Sequence, residues 1–237
     1  MRKTFGVFAH VDGGKTTFSE QLLYHTGAIR KAGRVDQKNT LLDGDEVEKA
    51  RGITIYADQS WFEYQGDEYY LLDTPGFSAE TERAATVLDY AILLIDASSG
   101  VAAHTVTLFR MLERFQVPVF LFLNKTDLEH ADVDLTMQEI RDRLTKDAVL
   151  IENWPCGKAD LESLTEFAAE RDEEIMEAYL EGSPIEKDRL LEVFRTMIRE
   201  RRGVLCMKGS ALNDQGIDRF FQAFHELTES RYEEDKP

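Results

Sequence analysis

The 237-residue chain is long enough for one substantial core, and its 43% hydrophobic and 31% charged residues are ordinary for a globular protein. With 28 Lys and Arg against 45 Asp and Glu, the net charge of −17 sets most of the surface against a nucleic-acid backbone, so direct nucleic-acid binding by this domain is expected to be small and local. No apolar run approaches the ~20 residues that cross a bilayer, and residues 1 to 10 lack the apolar core of a secretory signal. Two cysteines, Cys156 and Cys206, are too few for a disulfide framework, and a cytoplasmic location without membrane partners is the expectation.

In chain order, residues 4 to 9 predict a buried strand packing Phe5, Val7 and Phe8. It runs into Ala9-His10-Val11-Asp12-Gly13-Gly14-Lys15-Thr16-Thr17, and a helix expected over 15 to 25 carries Phe18, Leu22 and Leu23. Strand, glycine turn and helix in that order form a phosphate-binding loop. Gly13 and Gly14 let backbone N–H groups converge on phosphate oxygens at the positive end of the helix. Lys15 would reach the β- and γ-phosphates, the Thr16 hydroxyl would sit on Mg²⁺, and Thr17 closes the run. The pattern departs from its usual form at its first position, which is Ala9 in place of Gly.

Residues 27 to 52 form an irregular stretch of glycines and charges, of a length that is usually functional or disordered. It ends in Arg51-Gly52-Ile53-Thr54-Ile55, where Thr54 is a candidate for the γ-phosphate side of the Mg²⁺ site. Aromatic-rich strands are predicted at 61 to 64 and 69 to 72, joined by a turn over 65 to 68. The second delivers Asp73-Thr74-Pro75-Gly76 at its carboxyl end, where an α/β sheet places metal-binding chemistry, here Asp73. A short helix over 79 to 87 precedes a continuous buried strand over 90 to 97. Helical spacing of Thr105, Leu108, Leu112 and Phe115 predicts a helix over 102 to 115. Pro118 then opens a strand over 119 to 123 that feeds Asn124-Lys125-Thr126-Asp127.

Met137, Ile140, Leu144 and Ala148 predict another helix. From 152 to 202 the strand–helix alternation stops, and the stretch reads as a mostly helical insertion. Within it, Ser183-Pro184-Ile185-Glu186 has the cap, proline and glutamate of a helix start. A last strand over 204 to 207 leads into Gly209-Ser210-Ala211, and a closing helix over 214 to 227 aligns Ile217, Phe220, Phe221, Phe224 and Leu227. Residues 228 to 237 read as a polar tail. His10 is read as structural, and His25 and His104 as lacking an acid partner.

Asn124-Lys125-Thr126-Asp127 supplies what a guanine ring needs. The Asp127 carboxylate would accept from both the ring N–H and the exocyclic amine, a pair of donors that adenine lacks. Asn124 would hold the base and a neighbouring loop, and the Lys125 stem would lie along the base. Ser210, Ala211 and Leu212 would complete the site, with the Ala211 N–H donating to the guanine carbonyl. An unmet contact in that pocket costs ~1–3 kcal/mol, so GTP or GDP is expected over adenine nucleotides.

The pieces FGVFAHVDGGKTT at 5 to 17, RGITI at 51 to 55, LLDTPG at 71 to 76, FLNKTDL at 122 to 128 and GSALNDQGID at 209 to 218 closely resemble the G domain of translational GTPases. Among these, elongation factor G and the ribosomal-protection tetracycline-resistance proteins of the TetM/TetO type are the most similar. The resemblance implies an α/β P-loop NTPase fold: a doubly wound, mostly parallel sheet with an antiparallel edge strand, in one G domain over 1 to 237 that carries the insertion at 152 to 202. It implies GTP/GDP and Mg²⁺ as ligands, hydrolysis to GDP and phosphate with a conformational switch, and the ribosome as partner of the full-length protein. It also distributes roles. Lys15, Thr54 and Gly76 would serve hydrolysis; Asp12, Gly13, Gly14, Lys15, Thr16 and Thr17 would surround the phosphates; Thr16, Thr54 and Asp73 would hold Mg²⁺; Asp43 would match the aspartate of the first switch. Relatives carry His after Asp-Thr-Pro-Gly, the group that positions the attacking water, and this chain carries Phe77. Turnover is therefore expected to be slow or dependent on a partner. The alternative is a GTP-dependent binding switch with little hydrolysis. The family has further domains, so the sequence is expected to be the nucleotide domain of a longer protein, with a naturally short protein as the alternative.

Overall fold

The structure, a computed structural model, describes residues 1–29, 58–73 and 79–230. Its strands are β1 (Arg2–Ala9), β2 (Asp58–Tyr64), β3 (Asp67–Asp73), β4 (Tyr90–Asp96), β5 (Val119–Asn124), β6 (Ala148–Leu150) and β7 (Val204–Lys208). They form a single sheet in the order β2-β3-β1-β4-β5-β7-β6. Every neighbouring pair is parallel except β2 with β3, which puts the one antiparallel strand at an edge. The described helices are α1 (Lys15–His25), α2 (Ala79–Ala85), α3 (Ala103–Arg114), α4 (Val133–Arg143), α5 (Lys158–Ala169), α6 (Glu173–Glu181), α7 (Lys187–Arg199) and α8 (Ile217–Leu227). Among the described residues, no helix is long and apolar enough to cross a membrane.

The unbroken apolar run of β4 is explained by cover on both faces. Ile92 and Leu94 join a cluster with Phe18 and Leu22 of α1, Phe224 of α8 and Phe194 of α7. Ala91, Leu93 and Ile95 join a second cluster with Leu108 of α3 and Ile140 of α4. Helices thus lie on both sides of the sheet, the doubly wound arrangement expected. Aromatic rings fill the first face: Phe224 sits 4.9 Å from Phe120 and 5.2 Å from Phe5, centroid to centroid. At the amino edge of the sheet the buried Lys3 joins β1 to β3, its Nζ 2.9 Å from Asp67 Oδ2 and donating to the Tyr69 hydroxyl at 3.2 Å. Burial lowers the pKa of that ammonium, and the Asp67 carboxylate opposes the shift.

Several boundaries differ from the sequence reading: the strand predicted from 61 begins at Asp58, and the closing helix predicted from 214 begins at Ile217 behind Gly216. The hairpin turn is two residues long, Gln65 and Gly66, both at positive φ (48° and 86°), which suits the right-handed twist of the flanking strands and frees Asp67 and Glu68 to pair in β3. Ala148 is not helical. The α4 helix ends at Arg143, and Ala148 opens β6, which pairs with β7 from Ala148 opposite Val204 to Leu150 opposite Cys206. Its spacing from Leu144 imitates a helical stripe, and a three-residue strand carries no periodicity of its own. Ser183 does not start a helix; its N–H donates to the Ala178 carbonyl at 2.9 Å behind a left-handed Gly182 (φ 67°), closing α6. The next helix begins at Lys187 with Glu186 as its N-cap.

Replacing Phe224 by Ala would open a cavity where its ring now meets those of Phe5, Tyr69, Tyr90, Phe120 and Phe221. The expected cost is about 3–5 kcal/mol, read by urea denaturation, and a loss below about 1 kcal/mol would contradict this account of the core.

Candidate nucleotide-binding site

The sheet brings its loops together at the carboxyl edges of β1, β5 and β7. After Ala9 the chain turns sharply: Gly13 N–H donates to the His10 carbonyl at 2.9 Å, Asp12 takes φ 62° and Gly14 φ 87°. Gly14 caps α1 without a side-chain hydrogen bond, and the first turn contains no acidic residue. That helix end therefore offers its positive pole to an anion. Lys15, Thr16 and Thr17 follow, each half-buried. A side chain is excluded at Gly14, since a Cβ there would lie 2.4 Å from Asn124 Nδ2.

Asn124, the last residue of β5 and only 1% exposed, ties two loops together. Its Nδ2 donates to the Gly13 carbonyl at 2.9 Å, and its Oδ1 accepts from the Ala211 N–H at 2.8 Å. The amide thus links the phosphate loop to the loop after β7. The same geometry qualifies the expected role of Ala211. Its N–H already has an acceptor, so a guanine carbonyl at this point would share that donor with Asn124.

Further bonds stitch the loop after β5 to the loop after β7. Thr126 donates its N–H and its hydroxyl to the Gly209 carbonyl at 3.2 and 3.0 Å. Ser210, fully buried, exchanges two backbone bonds with Gln215, and its Oγ accepts from Asn213 N–H at 3.2 Å. Gly209 is required there, because a Cβ would lie 2.0 Å from the Gln215 carbonyl oxygen. Ala211 is buried beside it, while Leu212 and Asp127 are exposed at the rim.

Two groups outside the sequence reading enter this neighbourhood. Asp96 ends β4 opposite Asn124 in the ladder, and its Oδ2 lies 2.7 Å from Lys125 Nζ. Its Oδ1 accepts from the Ser98 N–H at 2.9 Å and the Ser98 hydroxyl at 2.6 Å. Burial alone would raise the Asp96 carboxyl, but Lys125 and Ser98 hold it below the ordinary carboxylate value. An acid ending one strand beside a lysine that follows the next was the signal available. The second group is Asp214, whose Oδ1 lies 2.5 Å from His25 Nε2. His25 therefore does have an acid partner, which the sequence did not reveal because 189 residues separate them. His10 packs edge-on against His104 with centroids 5.7 Å apart; burial, then the neighbouring His10, lowers the His104 pKa.

Asp12, Gly13, Gly14, Lys15, Thr16, Thr17, Asn124, Lys125, Asp127, Ser210, Ala211 and Leu212 are thus gathered at one edge of the sheet. Asp73 ends β3, in register with Val7 of β1, so its backbone reaches the same edge. Asp43, Thr54, Gly76 and Phe77 lie outside the described residues. Among the described residues, no group of three His, Cys, Asp or Glu could hold a metal ion.

Fold and loops together define a P-loop nucleotide-binding protein. Residues 2–230 match the elongation factor Tu GTP binding domain, and the chain belongs to that family. It is 36% identical over 227 residues to the tetracycline resistance protein TetW of Butyrivibrio fibrisolvens, covering 92% of this chain and 36% of that protein. It is also 36% identical over 226 residues to TetM of Ureaplasma urealyticum, covering 92% of this chain and 35% of that protein. The chain therefore spans about a third of the length of these curated relatives. A crystal structure of ttk003000868 from Thermus thermophilus superposes with a TM-score of 0.84 at 23% identity, covering 98% of this chain and 41% of the other, which supports the fold.

Asn124→Ala would leave the Gly13 carbonyl and the Ala211 N–H without their partner, at an expected cost of roughly 2 kcal/mol or more in urea unfolding; a loss within experimental scatter would contradict the bridging role. Because Asp96 titrates in the folded state below its unfolded value, its pairing adds stability above the ordinary Asp range, about pH 3.9, and that contribution disappears as pH falls through the folded value. Asp96→Asn is expected to flatten this part of the acid-unfolding profile, whereas a profile identical to the wild type would count against it.

Proposed function

We propose that this chain is the guanine-nucleotide switch of a longer translational GTPase that acts on the ribosome in the cytoplasm, of the elongation factor G and tetracycline-resistance kind. The observation that carries the reading is the Asn124 amide, which joins a helix end suited to phosphate and a loop pair suited to a purine. In this reading Asp12, Gly13, Gly14, Lys15, Thr16 and Thr17 wrap the phosphates of GTP or GDP. Asp127 selects guanine, Lys125 lies along the ring, and Ser210, Ala211 and Leu212 close the pocket. Thr16, Thr54 and Asp73 would hold Mg²⁺, which would supply positive charge against the phosphates. Residues 152 to 202, whose helices α5, α6 and α7 separate the two base-binding loops, would be an insertion in a G domain spanning 1 to 237.

Hydrolysis of GTP to GDP and phosphate would rest on Lys15, Thr54 and Gly76. Phe77 favours a second form of the same reading, in which turnover is slow, because a phenyl ring has no lone pair with which to orient water.

Competition binding is expected to show GDP held at micromolar levels or tighter and ADP at least about a hundredfold weaker, since a site built to bond an amine and ring N–H leaves those acceptors unmet with adenine. Equal affinities would refute the guanine assignment. In single-turnover hydrolysis, with and without ribosomes, Phe77→His is expected to exceed the wild type. A wild-type rate equal to that of an ordinary elongation factor would refute the slow-turnover form.

A further inference from the structure

We propose that Asp96 is a positioning residue of the base-binding site, anchoring Lys125 so that its aliphatic stem lies flat against the purine. The inference rests on the guanine-nucleotide reading above. Register supplies the first argument: Asp96 and Asn124 are paired on adjacent strands, so the acid and the bridging amide leave the sheet side by side. The carboxylate is itself held in place. One oxygen takes both donors of Ser98, and the Asp96 carbonyl accepts from the Ser99 and Gly100 N–H groups at 3.1 and 2.9 Å. This turn is secured in turn by Glu139, whose Oε2 accepts from Val101 N–H at 2.6 Å.

The other oxygen meets the Lys125 ammonium at 2.7 Å, with the Asp96 side chain 15% exposed and that of Lys125 30% exposed. Lys125 sits at φ 63°, a left-handed conformation that a lysine keeps only where its surroundings enforce it. A lysine stem that is already anchored loses less freedom when a base arrives, so the anchor adds to affinity through preorganisation. Asp127 is outside this linkage. The contribution of Asp96 should therefore be blind to the exocyclic amine that distinguishes guanine from hypoxanthine.

The test uses the full chain and displacement of a fluorescent GDP analogue by GDP or by inosine diphosphate. Asp96→Asn is expected to weaken both nucleotides by about tenfold while preserving their affinity ratio. Asp127→Asn should compress that ratio. Lys125→Ala should match the loss in Asp96→Asn, and the double variant should be no weaker than Lys125→Ala alone, because the two residues act as a unit. Ser98→Ala, which removes one donor to the carboxylate and little packing, should give a smaller loss in the same direction. Wild-type GDP affinity in Asp96→Asn, a compressed ratio in that variant, or additive losses in the double variant would each overturn the proposal. A wild-type chain that binds neither diphosphate would instead refute the nucleotide reading on which it rests.

Discussion

One side-chain amide holds the site together. Asn124 is nearly inaccessible to solvent, and it spends its donor on the phosphate loop and its acceptor on the loop after β7. A buried amide with both ends bonded fixes the separation of the two loops it joins, since moving either one leaves a polar group unpaired in a dry setting. Gly14 is small because of this contact, and Gly209 is small because Gln215 closes over it. The loops are consequently rigid on the protein side and exposed on the other, where Asp127 and Leu212 form the rim.

The fold makes that contact possible by placing β1 and β5 on either side of β4, with β7 next in the sheet. Three parallel strands then release their loops at the same edge. Burial of both sheet faces demands long apolar strands, and Phe5, Phe120 and Phe122 meet that demand with rings that interlock with α1 and α8. Charge is kept off these faces almost entirely. Among the described residues the buried charges are Lys3, Glu20, Asp89 and Asp160, and Lys3, at the far edge of the sheet, is paired with Asp67. Most of the acidity of the described residues thus lies outside the core, and the first turn of the helix that would meet phosphate holds no acidic side chain.

Most of this was legible in the sequence because the informative residues cluster in short runs. The strand, glycine turn and helix at 4 to 25 are continuous, and β4 and β5 are unmistakable as apolar stretches ending in polar residues. What escaped was long-range or too short to be periodic. β6 is three residues long and stands next to a helix whose stripe it happens to continue. Ser183 carries the letters of a helix cap, yet its N–H finishes the preceding helix, because a left-handed glycine precedes it. The His25–Asp214 and Asp96–Lys125 pairs join residues 189 and 29 positions apart, and only the assembled sheet puts them in contact.

The central claim is that phosphate and base loops form one unit through Asn124, with a guanine nucleotide lying across it. A crystal structure of the chain with GDP and Mg²⁺ tests this most directly. The account predicts the base between Lys125 and the loop after β7 with its amine on Asp127, the phosphates over Gly13 to Thr16, and both Asn124 bonds to the protein intact. A nucleotide bound elsewhere, or a base in place with the Asn124 amide detached from Gly13, would contradict it.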